Sequence, residues 1–238
     1  MSRRPPRPPV ASQVAALLAK DLRVELRTGE VFMTSMLFAG VLVALFIFAG
    51  FSSRRAAAES APGMLWISTA FLAVLVVTRT FDREREDRVV QGLLLIPGAA
   101  RAMFVAKLLY NWLMLSLAQS LLVLLVGVVF AVRWSEAGWV VPAALAAGGL
   151  GLCAVGTTLS ALLAAIRLRE VLIPIVLFPL AVPLLVAGTQ CVVAAMQGSS
   201  SAGSWLTMMV AFDAMFVMLG GWLFGHALEG GEGGGGEG

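Results

Sequence analysis

Charge is scarce in this 238-residue sequence: Asp, Glu, Lys and Arg together make up 13% of it, where soluble domains carry about 25%. With 59% apolar residues and a mean hydropathy of +0.91, that scarcity excludes an ordinary water-soluble core. Histidine occurs once, at His226. A single imidazole near the end of the last apolar run supports neither a Ser-His-acid nucleophile nor a Cys/His metal cluster. The two cysteines, Cys153 and Cys191, are far apart and lack C-x-x-C spacing, so they read as small apolar residues inside membrane spans. Lysine occurs only at Lys20 and Lys107, each after an alanine. No G-x-x-x-x-G-K-[ST] phosphate loop exists, so the chain does not bind ATP in that manner. An enzymatic role for the isolated chain is not expected, and no catalytic residue is assigned.

Long uncharged runs are what the sequence has in abundance. They cover 31–53, 60–78, 108–132, 137–166 and 171–212, and about 20 apolar residues suffice to cross the hydrocarbon of a bilayer. The last run is long enough for two spans. Turn chemistry in Gln197-Gly-Ser-Ser-Ser-Ala-Gly-Ser204 divides it into spans near 171–195 and 204–228. The expected fold is therefore all-α, a polytopic membrane protein with six transmembrane helices. The N-terminus is Arg/Pro-rich and continues into a polar helix instead of a signal-peptide apolar region, so the first span serves as its own signal.

Basic residues set the orientation, because Lys and Arg near span ends stay on the cytoplasmic side. With the N-terminus inside, fourteen of the 17 basic residues are cytoplasmic, and only Arg54, Arg55 and Arg133 lie opposite. Both termini are expected in the cytoplasm of a cell bounded by this inner membrane. The pI of 9.4 then calls for no nucleic acid, since topology and the anionic leaflet account for the positive charge.

Four segments carry most of the information beyond hydropathy. Residues 1–10 form an extended tail ahead of the permease body, 11–228. Residues 11–29 place Val14, Leu17, Leu18, Leu22 and Leu26 at helical spacing, which suits a helix lying in the membrane interface. Asp21 and Glu25 project into its apolar arc and need partners: either they snorkel or meet arginines of a nearby loop, or they make a contact between subunits. The segment Arg79-Thr-Phe-Asp-Arg-Glu-Arg-Glu-Asp-Arg88 holds four bases and four acids. Its pairs Arg83 with Asp87 and Glu84 with Arg88 are spaced four apart and support a short cytoplasmic helix. It is either a solvated loop or a docking element formed by Asp82, Arg83, Glu84, Arg85, Glu86, Asp87 and Arg88, in a loop spanning about 79–98. In the fifth span Pro179 and Pro183 each remove a backbone hydrogen bond, so a kinked or broken helix is expected, as a fixed bend or a hinge. Asp213 is the acid well inside a span. An ionised carboxylate there costs about 2.5–3.5 kcal/mol on insertion scales, so it must face a partner, a cavity or the bundle interior. Residues 229–238 are a flexible Gly/Glu tail.

Lys20-Asp-Leu-Arg-Val-Glu-Leu-Arg-Thr-Gly-Glu30, Pro62-Gly-Met-Leu-Trp66, the charged loop ending in Leu93-Leu-Leu-Ile-Pro97, Lys107 opening the third span, and Phe178-Pro-Leu-Ala-Val-Pro183 together resemble the haem exporter protein B family. The likeness covers residues 16 to 195 in order. Arg88 stands where a glycine is usual, and Gln91 where an acid is usual. The resemblance implies an ABC-2 type permease subunit of the cytochrome c maturation complex. On that reading the chain is a homodimer that recruits a separate ABC ATPase, which binds the ATP and Mg, and works with other maturation membrane subunits. The 79–98 loop would be its coupling helix, with haem as the cargo handled by the complex or carried by a chaperone that ATP hydrolysis releases. An ABC-2 permease for lipid, glycan or drug, and a non-transporting membrane scaffold, are the alternatives.

Overall fold

In hydrocarbon every backbone N–H and C=O must be bonded within its own segment, so the uncharged runs become helices. The computed structural model of the protein describes residues 9–51, 53–79, 99–163, 166 and 168–229. Among them are seven α-helices and one 3-10 turn, Trp134–Ala137. Helix α1 (Val10–Thr28) is followed by α2 (Glu30–Phe48), α3 (Arg54–Arg79), α4 (Ala99–Phe130), α5 (Val140–Leu162), α6 (Arg169–Met196) and α7 (Ser201–Glu229). Helices α2 to α7 are long and apolar enough to cross a membrane. The protein is an all-α, multi-pass membrane protein. The turn between α6 and α7 falls at residues 197–200, with Gly198 at φ 65°, where the serine-rich stretch predicts it.

Two helices start earlier than the uncharged runs suggest. Helix α3 begins at Arg54 and carries Pro62 inside it. Helix α4 begins at Ala99 and carries Arg101 and Lys107. Charge ends an apolar run in the sequence, but it does not end a helix whose charged side chains find partners or water.

Helices α3 and α5 are central, with 67% of each apolar window buried, against 28% for α2 and 17% for α7. Lipid tails are as apolar as leucine, so such helices associate through close packing, which small residues permit. Gly148 of α5 and Gly188 of α6 both face the indole of Trp66 on α3, and neither position has room for a Cβ against that ring. Gly156 meets Val77 of α3, and Gly220 of α7 meets Phe104 of α4 and Thr158 of α5. Cys153 and Cys191 are buried and free. The tails 1–8 and 230–238, and residues 80–98, lie outside the described residues.

Candidate functional site

The site grows from a sharp corner between α1 and α2. Gly29 ends α1 at φ 63°, a left-handed conformation that glycine adopts without the steric penalty of a Cβ. Its N–H closes on the Glu25 carbonyl at 2.6 Å, and its own carbonyl accepts from Met33 at 2.8 Å. The corner brings the Glu25 side chain beside the first turn of α2, whose backbone N–H groups have no helical acceptors. Glu25 Oε1 accepts the Phe32 N–H at 2.9 Å, and Oε2 accepts the Tyr110 hydroxyl of α4 at 3.0 Å. Glu25 is only 4% exposed, yet both its oxygens are bonded. Its charge also complements the positive end of the α2 dipole.

One turn earlier, Lys107 Nζ donates to Asp21 Oδ2 at 2.9 Å, while Lys20 Nζ stands 3.7 Å from Asp21 Oδ1. Residues four apart on α1 thus meet residues three apart on α4, each pair on one helical face. The two helices dock through two polar rungs. Leu18 and Leu22 pack beside them against Val31, Val76, Tyr110 and Met114. On the other side of Gly29, Glu30 forms an ion pair with Arg79 at the end of α3. A cleft of about 450 Å³ opens next to this pair, between the aromatic side chains of Phe38 and Phe71 and the polar ends of Thr78 and Glu170.

The residues singled out from sequence are distributed as follows. Asp21 and Glu25 meet a lysine and a tyrosine of the third span; the arginines of the 79–98 loop beyond Arg79 lie outside the described residues. Asp82, Arg83, Glu84, Arg85, Glu86, Asp87 and Arg88 lie outside the described residues; before them α3 ends at Arg79, paired with Glu30, and after them α4 carries Lys107 and Tyr110 to the corner. Pro179 and Pro183 lie on the exposed face of α6, opposite buried Leu177, Ala181 and Leu184. Helix α6 runs unbroken from Arg169 to Met196 through both prolines. Asp213 sits elsewhere in the bundle, 5% exposed, with its Oδ1 against Gly151 of α5 and without a hydrogen-bond partner.

Lys107, Tyr110 and the Glu30–Arg79 pair are the members that sequence reasoning did not select. Lys107 interrupts an apolar stretch and Tyr110 is the single tyrosine, a signal that gains meaning only once the α1 acids need partners. Deeper in the bundle Asn111 Nδ2 donates to Thr157 Oγ1 at 2.9 Å. That bond ties α4 to α5 below the corner.

Residues 12–231 match the family described as CcmB protein. Among curated relatives, heme exporter protein B of Pseudomonas aeruginosa is 26% identical over 200 residues, covering 82% of this chain and 88% of the relative. Heme exporter protein B of Bradyrhizobium diazoefficiens is 24% identical, covering 87% of this chain and 93% of the relative. The protein of the same name from Rhodobacter capsulatus is 28% identical over 177 residues, covering 74% and 81%.

Proposed function

The chain belongs to the CcmB protein family, and from that premise we propose how its polar corner serves the family's work. It is a membrane permease subunit of the ABC complex for cytochrome c maturation, and its relatives carry the name heme exporter protein B. ATP hydrolysis belongs to a separate ATPase subunit, which grips the permease through the charged segment 82–88. The permease works as a homodimer in the inner membrane, with both termini in the cytoplasm. Its cargo is haem, or the haem-loaded chaperone released when the ATPase closes.

The observation that supports this reading is that the helices before and after the charged segment are both bonded to the α1–α2 corner. Arg79, just before it, is paired with Glu30. Lys107 and Tyr110, on the helix that follows it, hold Asp21 and Glu25. A push on the segment therefore moves the α1–α2 corner, the end of α3 and the start of α4 together. The buried rungs resist sliding because separating them strands a charge away from water, at a cost of about 3–5 kcal/mol.

Co-purification from native membranes tests the assignment. The expected result is an ABC ATPase and membrane subunits of cytochrome c maturation bound to the tagged chain, with maturation lost on its deletion. Recovery with an ATPase of a lipid, glycan or drug exporter, and intact cytochromes c in the deletion strain, would contradict it.

A further inference from the structure

Helices α2 and α6 both pack on α3, and the cleft of about 450 Å³ beside the Glu30–Arg79 pair is lined by all three. Its charged groups are confined to one end. Arg79 is the last residue of α3, Glu170 the second of α6, and Glu30 the first of α2. The mouth therefore lies where spans leave the hydrocarbon and lipid headgroups begin. Away from the mouth the walls are apolar. Phe38 and Phe71 stand eight residues in from Glu30 and Arg79 respectively, about 12 Å at 1.5 Å per residue. Phe71 also meets Phe178 of α6 edge-on, with ring centroids 5.3 Å apart, so the wall is braced at its apolar end.

Hydrogen-bonding capacity at the mouth is unevenly spent. The Thr78 hydroxyl donates back to the Val74 carbonyl at 2.9 Å. Arg79 gives Glu30 a hydrogen bond from Nη1 but is 40% exposed, which leaves the remainder of its guanidinium fork open to an anion. Glu170 is exposed, and its carboxylate has no partner among the described residues. Neighbouring Arg169 is buried and engaged elsewhere.

An apolar slot with a cation and an anion at its rim selects its occupant. A free phosphate does not fill the slot, and an anionic lipid brings nothing for Glu170. A second copy set here by two-fold symmetry would bring the same surplus of carboxylate, Glu30 and Glu170 against Arg79. An aminophospholipid meets each part, because its phosphate and its ammonium are neighbours and the ammonium donates hydrogen bonds that a quaternary choline cannot.

We propose that this cleft holds one aminophospholipid of the surrounding leaflet. Its phosphate lies on the Arg79 guanidinium, its ammonium on the Glu170 carboxylate, and the first stretch of an acyl chain between Phe38 and Phe71. Occupancy does not depend on the ATPase.

The test adds an equimolar mixture of phosphatidylethanolamine, phosphatidylcholine and phosphatidylglycerol with matched chains to the full chain in mild detergent, and reads retained lipid by native mass spectrometry. One phosphatidylethanolamine per chain is expected, retained about fivefold over phosphatidylcholine, the scale of one partly exposed ion pair. Glu170→Gln should retain the two equally. Val74→Phe fills the slot and should retain none of the three. Thermal midpoints report folding, and Glu170 is exposed, so its variant is expected to fold whether or not the filled slot is tolerated. Equal retention of all three lipids by the wild type, no retained lipid, or preference for phosphatidylglycerol overturns the proposal. So does a phosphatidylethanolamine preference unchanged in Glu170→Gln, or a dimer free of phospholipid, which would place a second copy in the cleft.

Discussion

Tyr110 donates its hydroxyl to Glu25 Oε2 at 3.0 Å across 85 positions of sequence, and so steadies the residue that caps α2 through the Phe32 N–H. Hydrogen bonds to charged groups contribute about 1.5–3 kcal/mol. Tyr110→Phe should lower thermal stability in detergent by that order. Combined with Glu25→Ala the effects should fall short of additive, because both changes remove the same bond. Full additivity in a double-mutant cycle would show that the two side chains do not interact.

The Asp21–Lys107 rung makes a prediction of a different form. Lys107→Met leaves the mostly buried Asp21 carboxylate without its close cation, and a broken buried pair costs up to about 3–5 kcal/mol. The swap of Asp21→Lys with Lys107→Asp should recover part of that loss. Expression level and melting midpoint of the three variants provide the comparison, and a swap no better than Lys107→Met alone would count against the rung.

Packing around Trp66 has no tolerance for added volume. A side chain at Gly188 meets the indole directly, and overpacking a filled interior costs about 1–3 kcal/mol. Gly188→Val should be damaging in a wild-type background and milder beside Trp66→Leu, measured by detergent melting. Equal damage in both backgrounds would place the fault elsewhere.

Asp213 tests whether an intramembrane acid acts by hydrogen bonding or by charge. Its Oδ1 lies against Gly151 without a hydrogen-bond partner, and among the described residues no ion pair reaches the carboxylate. Asp213→Asn should therefore keep near-normal assembly and cytochrome c maturation, and Asp213→Leu should be the harmful change. Maturation lost in the Asn variant while assembly stays intact would assign the residue a functional charge.

The six spans are legible in the sequence because hydrocarbon imposes one requirement on every spanning segment, and length and charge report it directly. The α6–α7 turn is legible for the same local reason, through its glycine and serines. The corner is only half legible. Two acids in the apolar arc of α1 announce that partners exist, but Lys107 and Tyr110 come from a helix more than eighty positions away, and no local pattern pairs them. Gly148 and Gly188 carry no local signal either, since their roles depend on what the neighbouring helix presents. The start of α4 was obscured by Lys107, which reads as a boundary until Asp21 neutralises it inside the fold.

The central claim is that the charged segment following Arg79 docks the ATPase and that the tethered corner receives its motion. Glu86→Arg with Asp87→Arg replaces two acids by two bases while leaving every span and the positive-inside bias unchanged. Charge complementarity at an interface sets register, and truncating one member of a buried charge pair costs about 2–5 kcal/mol or more, whereas exposed ion pairs contribute about 0–1 kcal/mol. The most direct measurement is pull-down of the ATPase by this double variant in moderate salt, beside a membrane-insertion control. The account predicts normal insertion, weakened ATPase recovery and lost cytochrome c maturation; recovery of the ATPase at the wild-type level would contradict it.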